Sequence, residues 1–85
     1  MLNILDRMKV FKDVFDEAQR SLSKYNRPYA SSHEFYGVLL EEIEELWDEI
    51  KLKEELRDTE KMKKEAIQCM AVLYRFITEL NNELH

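Results

Sequence analysis

Apolar residues fall at Ile4, Met8, Phe11, Phe15, Ala18 and Leu22, in steps of four, three, four, three and four. That rhythm keeps them on one side of an α-helix. Val10 and Val14 widen the stripe, and a first helix is predicted over residues 3 to 24. YNRPYASS then interrupts the pattern, because Pro28 disfavours helical geometry at Arg27 and Asn26 and the serines favour turns. Ser31 followed by Glu34 has the form of a capping box and starts a second helix at Ser31 or Ser32. Its broad apolar face carries Phe35, Tyr36, Leu39, Leu40, Ile43, Leu46, Trp47 and Ile50 and fades near Leu56 and Arg57. RDTE breaks the rhythm again, and Asp58 or Thr59 can cap a third helix that runs to about Leu80, with Asn81 and Asn82 as its stop.

The third helix has a different pattern. Ala66, Met70, Leu73, Ile77 and Leu80 form one stripe, Cys69, Val72 and Phe76 a second, and Ile67, Ala71 and Tyr74 fill much of a third side. A helix apolar nearly all round has to be buried nearly all round. Two other helices of one short chain cannot easily cover it, so the pattern predicts a second copy packed along it. The expected architecture is all-α: a three-helix chain assembling into an intersubunit helical bundle, as a homodimer or a dimer of dimers.

Composition narrows the class. Eighty-five residues suffice for one small domain over 1–85, and a chain of this size buries only about 60% of the surface its unfolded state exposes. The 45% hydrophobic and 36% charged content describes a folded chain. One glycine and one proline leave little material for hairpin turns. The net charge of -5 and the dispersal of thirteen Lys and Arg speak against a partner recognised through a nucleic-acid backbone. An acidic protein that handles phosphates needs a cation between the two charges. Cys69, the single cysteine, reads as a small buried hydrophobe in a reducing compartment. MLNILDRMKVFKD carries no secretion signal, and the apolar window from Ala66 to Ile77 is too short to span a bilayer, so a soluble cytoplasmic protein without a membrane partner is expected.

The acidic run LLEEIEELWDEI is the candidate chemistry. Val38, Glu42, Glu45 and Glu49 share a row at helical spacing, and the Cβ atoms of residues three apart lie about 5–6 Å apart, so Glu42 and Glu45 can reach one hard cation. Spacing alone favours a solvated face, since acidic residues here are followed by basic ones, as in Glu49 and Lys53. Glu65 and Gln68, again three apart, occupy the polar strip of the otherwise apolar third helix. Burying a carboxylate without a partner is expensive, so Glu65 requires a basic neighbour, an exposed position near the helix start, or a metal. Facing pairs of this kind across a bundle make an oxygen-rich cation site.

Glu41, Glu42 and Glu45 read as E-E-x-x-E, and after nineteen intervening residues Glu65 and Gln68 read as E-x-x-Q. This resembles the signature of the MazG-like all-alpha nucleoside triphosphate pyrophosphohydrolases, E-E-x-x-E followed by E-x-x-D, and the likeness extends over most of residues 31 to 80. The resemblance implies hydrolysis of a nucleoside triphosphate substrate between its α and β phosphates, giving monophosphate and pyrophosphate. It also implies Mg²⁺, with Mn²⁺ as a substitute, held at the positions of Glu42, Glu45, Glu65 and Gln68. Glu41 or Glu45 would orient or deprotonate the attacking water.

Gln68 departs from the pattern. An amide oxygen can ligate a hard cation but brings no negative charge, so metal affinity falls. Either the site works with three carboxylates, or the chain is a noncatalytic helical oligomer that keeps the fold as a binding or interaction module. Asp48 lies too far from the apolar face to replace the charge, and Glu44 and Asp48 read as solvent-facing. His33 near a helix cap reads as structural or exposed, and Trp47 and Tyr36 as core. Lys61, Lys63, Lys64 and Arg75 fit helix-surface charges as well as phosphate contacts.

Overall fold

The computed structural model describes residues 3–83, with the side chain of residue 83 left aside. Three helices account for nearly all of it: α1 (Ile4–Lys24), α2 (Ser32–Ile50) and α3 (Thr59–Glu83), with one short 3₁₀ turn at Glu54–Leu56. Among the described residues there is no strand. No helix is long and apolar enough to cross a membrane.

The starts of the helices follow local chemistry. Asn3 caps α1 by accepting the Asp6 amide at 3.0 Å, and Ser31 caps α2 by accepting the Glu34 amide at 3.1 Å. Only half of the predicted capping box forms. Glu34 accepts the Ala30 amide at 3.1 Å and takes the Arg27 guanidinium at 3.1 Å, tying the loop between α1 and α2 to the start of α2. Asp58, not Thr59, caps α3, accepting the Glu60 amide at 3.0 Å.

Two helix ends differ from the sequence expectation. α2 stops at Ile50, short of Leu56 and Arg57, because the residues beyond it have nothing to pack against. Leu52 and Leu56 are exposed, and the Arg57 guanidinium instead donates to the Leu52 carbonyl at 2.9 Å, closing a turn. α3 continues through Asn81 and Asn82 to Glu83. Asparagine stops a helix by entering the left-handed region, and no described non-glycine residue has a positive φ.

α3 is the central element: α1 and α2 both pack against it and not against each other. The α1 contact runs through small side chains. Val14 and Ala18 of α1 and Ala71 of α3 are buried, and α1 packs on α3. Of the predicted α1 face, Ala18 and the flanking Val14 are the residues the chain buries, whereas Ile4, Met8 and Phe11 stay exposed, Phe11 at 69%, and Phe15 is 45% exposed. Small residues allow close approach of two helices, and at the edge of the contact Phe15 meets Tyr74 of α3 edge-on, with 6.2 Å between ring centroids. At the other end, Phe35 of α2 stacks on Phe76 of α3 at 3.7 Å between ring centroids, with Tyr29 edge-on to both.

Much apolar surface remains uncovered. Met70, Leu73, Ile77 and Leu80 of α3 form one exposed line, and Tyr36, Leu40, Ile43 and Trp47 of α2 form another. Tyr36 and Trp47, read from the sequence as core, are exposed in the single chain; Trp47 is 55% exposed because α3 meets the adjacent face of α2. The chain exposes 6964 Å² for a mass of 10.3 kDa, roughly 1,600 Å² more than is usual for a folded monomer of that mass. Its radius of gyration is 14.5 Å, where about 12 Å is typical for this length.

Candidate metal centre

The α2 face that meets α3 is only partly apolar. Phe35 is buried and Val38, Leu39, Leu46 and Ile50 are half-buried, yet Glu42 and Glu49 lie in the same contact zone. Opposite them, α3 brings Glu65 from its second turn. Carboxylate oxygens of Glu42, Glu45 and Glu65 lie within 4.8 Å of one another. Glu42 and Glu65 are half-buried, and Glu45 stands at the exposed edge.

No ion pair neutralises this group among the described residues. One oxygen of Glu42 (Oε2) and one of Glu65 (Oε2) are shielded from solvent without a hydrogen-bond partner. Burial pushes the Glu42 carboxyl up to about 7, helped by the negative charges of Glu45 and then Glu65. Glu65 is raised for the same reasons, burial first and Glu45 second. The Cys69 thiol is raised by burial and then by Glu42.

These shifts set a pH dependence. The charged form of Glu42 is disfavoured in the folded chain, so its contribution to stability is present below pH 4.5 and is lost as pH rises toward 7. Glu65 acts in the same direction. Glu17 and Glu34, lowered chiefly by Arg20 and Arg27, act oppositely but below the ordinary carboxylate range. In EDTA the thermal midpoint is expected to fall between pH 5 and 7.5, and Glu42→Gln should flatten that slope. A midpoint that rises over this interval would contradict the description of Glu42.

Gln68 stands apart from the group of three. Its amide nitrogen donates to Glu17 Oε1 of α1 at 2.6 Å, in a partly buried contact. Glu17 is in turn held by Arg20, whose Nε donates to Oε2 at 3.1 Å. Glu41 is exposed on the neighbouring side of α2. Asp48 pairs with Lys51 at 3.0 Å and faces solvent, as its position on the helix predicts. Glu44 and His33 are exposed.

Because α1 and α2 do not meet, a cleft of about 590 Å³ opens between them above α3. Glu17, Arg20 and Lys24 line its α1 side, Glu41 and Glu42 its α2 side, and Gln68 and Arg75 the α3 floor. Arg75 is not a surface charge. It is 8% exposed, lies 4.3 Å from the centre of the Tyr29 ring, donates to the Arg27 carbonyl and sits 3.6 Å from Glu79. Glu79 also accepts the Tyr29 amide at 2.6 Å, so these residues clamp the α1–α2 loop onto α3.

Glu17, Arg20 and Lys24 have no signature in the sequence, since a contact between residues 17 and 68 spans two helix breaks. No family model matches the chain, and no curated protein or solved structure matches it significantly.

Proposed function

We propose that the chain is a Mg²⁺-dependent nucleotide pyrophosphohydrolase of the MazG-like kind, cleaving (d)NTPs to monophosphate and pyrophosphate. The observation that carries this reading is the convergence of Glu42, Glu45 and Glu65 within 4.8 Å, with buried oxygens on Glu42 and Glu65 that have no partner. A hard, oxygen-seeking dication fits that donor set, supplying the charge compensation that desolvated carboxylates lack. Three carboxylate donors leave positions for water and phosphate oxygens, as Mg²⁺ prefers.

Mg²⁺ bound here supplies charge neutralisation for the substrate phosphates. Glu42, Glu45 and Glu65 hold it. Glu41 lines the cleft beside Glu42 but stands outside the cluster, which leaves its carboxylate free to orient a water and accept its proton; Glu45 can do so only while sharing the cation. The cleft, lined on its α2 side by Glu41 and Glu42, gives the nucleotide a volume of suitable size. Calorimetric titration with Mg²⁺ and Mn²⁺, followed by assay of a panel of canonical and modified (d)NTPs, tests the reading. Absence of both cation binding and pyrophosphate release would overturn it.

The second reading, a noncatalytic helical oligomer, is favoured by one observation: Gln68 spends its amide nitrogen on Glu17 and adds no charge to the cluster. Both readings share the assembly. A second copy of the chain covers the exposed lines of α2 and α3, because roughly 1,600 Å² of surplus surface per chain is the amount that a large, obligate interface removes.

A further inference from the structure

The first half of α1 buries none of its side chains. Every residue from 3 to 12 is exposed, whereas the buried positions of the helix, Val14 and Ala18, lie further along it. This exposed half is not a polar helix end. Ile4, Met8 and Phe11 are 69%, 59% and 69% exposed, and with Phe15 they step by four, three and four. That is the seam spacing by which one helix packs along another. The stripe lies roughly half a turn round α1 from Arg20 and Lys24, which line the cleft. It runs instead into the open side of α3: Phe15 meets Tyr74 edge-on, and Tyr74 shares that side with the exposed Met70, Leu73 and Ile77.

We infer that this stripe of α1 docks on a second copy of the chain: Ile4, Met8, Phe11 and Phe15 pack against a helix of the other copy and widen the contact made by the lines of α2 and α3. The inference rests on the assembly reading above, not on the metal, and extends it to a helix that reading leaves out. Area favours a second copy. A standard interface takes about 800 Å² from each partner, and the surplus of roughly 1,600 Å² on this chain is about twice that, so the covered face is broader than a standard one. Continuity favours it as well, because a copy seated on Met70 and Tyr74 comes up against Phe15 at the edge of the stripe. Charge disfavours a lipid surface. The polar positions Asp6, Arg7, Lys9, Lys12 and Asp13 mix both signs, where a helix lying on a membrane concentrates Lys and Arg. A helical segment as short as Ile4–Lys12 is marginal by itself in water, so association steadies it.

The test uses the full chain in sedimentation and amide hydrogen exchange. The double variant Met8→Glu with Phe11→Glu is expected to associate about 100-fold more weakly than the unmodified protein, because two large apolar side chains give way to charges. Both positions are exposed in the single chain, so its helix content should persist. Lys9→Glu introduces the same residue on the opposite side of α1 and should leave association unchanged. In the unmodified protein the amides of residues 8–12 should exchange more slowly in the oligomer than after dilution to monomer. Exchange there that is indifferent to concentration would overturn the inference, as would protection gained only on adding anionic phospholipid vesicles, which would assign the stripe to a membrane. If the unmodified protein is a monomer at every concentration, the assembly reading itself fails; if Leu73→Glu with Ile77→Glu dissociates the oligomer and Met8→Glu with Phe11→Glu does not, only the role of α1 fails.

Discussion

Replacing Glu42 or Glu65 by glutamine is expected to abolish divalent-cation binding and pyrophosphate release together while making the folded chain more stable at neutral pH. Each substitution keeps the size of the side chain and deletes one negative charge. In the absence of a cation, that charge is a burden. Glu42 is pushed up to about 7 by burial and by Glu45 and Glu65, and one of its oxygens is shielded without a partner. An amide in its place relieves the repulsion. For a bound Mg²⁺ the balance reverses, since a charged donor becomes a neutral one at a site with only three carboxylates. Losses of at least about 100-fold in affinity are expected, beyond what outer-shell changes produce. Calorimetry, turnover and thermal midpoint measured on the same samples separate this from simple unfolding. Equal activity in Glu42→Gln would show that the cluster is a solvated face.

The second large effect concerns assembly. The unmodified protein is expected to sediment as an oligomer at micromolar concentration, and glutamate introduced at Leu73 and Ile77 is expected to make it sediment as a monomer. Ile77 is 55% exposed and Leu73 41% in the single chain, on a line continuous with Met70 and Leu80. Burying that line against a second copy removes apolar area from water, and two charges per chain on such a contact oppose it. The native protein should also melt at a temperature that rises with concentration, as expected when folding and association are linked. A native monomer with a concentration-independent midpoint would contradict the assembly.

The hydrophobic rhythm revealed the three helices, because each boundary was marked by a local chemical event: proline after Arg27, serine at 31, aspartate at 58. What it could not fix was which side of each helix the chain itself would cover. In α1 the predicted face contained both the bulky Phe11 and the small Ala18 with Val14 beside it, and the chain buries the small end of that face, Val14 and Ala18, while Phe11 stays exposed. The overrun of α2 past Ile50 and the missed continuation through Asn81 have the same origin, since helix ends depend on packing as much as on propensity.

The candidate site was legible in part. Glu42, Glu45 and Glu65 could be nominated because spacing by three on one helix, and a carboxylate on the polar strip of another, are local patterns. Their convergence required the helices to pair in register, as they do. The direction of Gln68 was not legible, because it is decided by Glu17, fifty-one positions away on another helix. The burial of Arg75 was hidden similarly. A guanidinium within an apolar helix reads as a surface charge until the loop carbonyl of Arg27 and the ring of Tyr29 fold over it.

The most direct measurement is identification of the products when the intact protein is incubated with a (d)NTP panel and Mg²⁺, followed by phosphorus NMR. A nucleotide pyrophosphohydrolase is expected to yield nucleoside monophosphate and pyrophosphate in equal amounts from at least one nucleotide, and none in EDTA. Formation of diphosphate and orthophosphate, or no turnover of any nucleotide with Mg²⁺ or Mn²⁺, would contradict it.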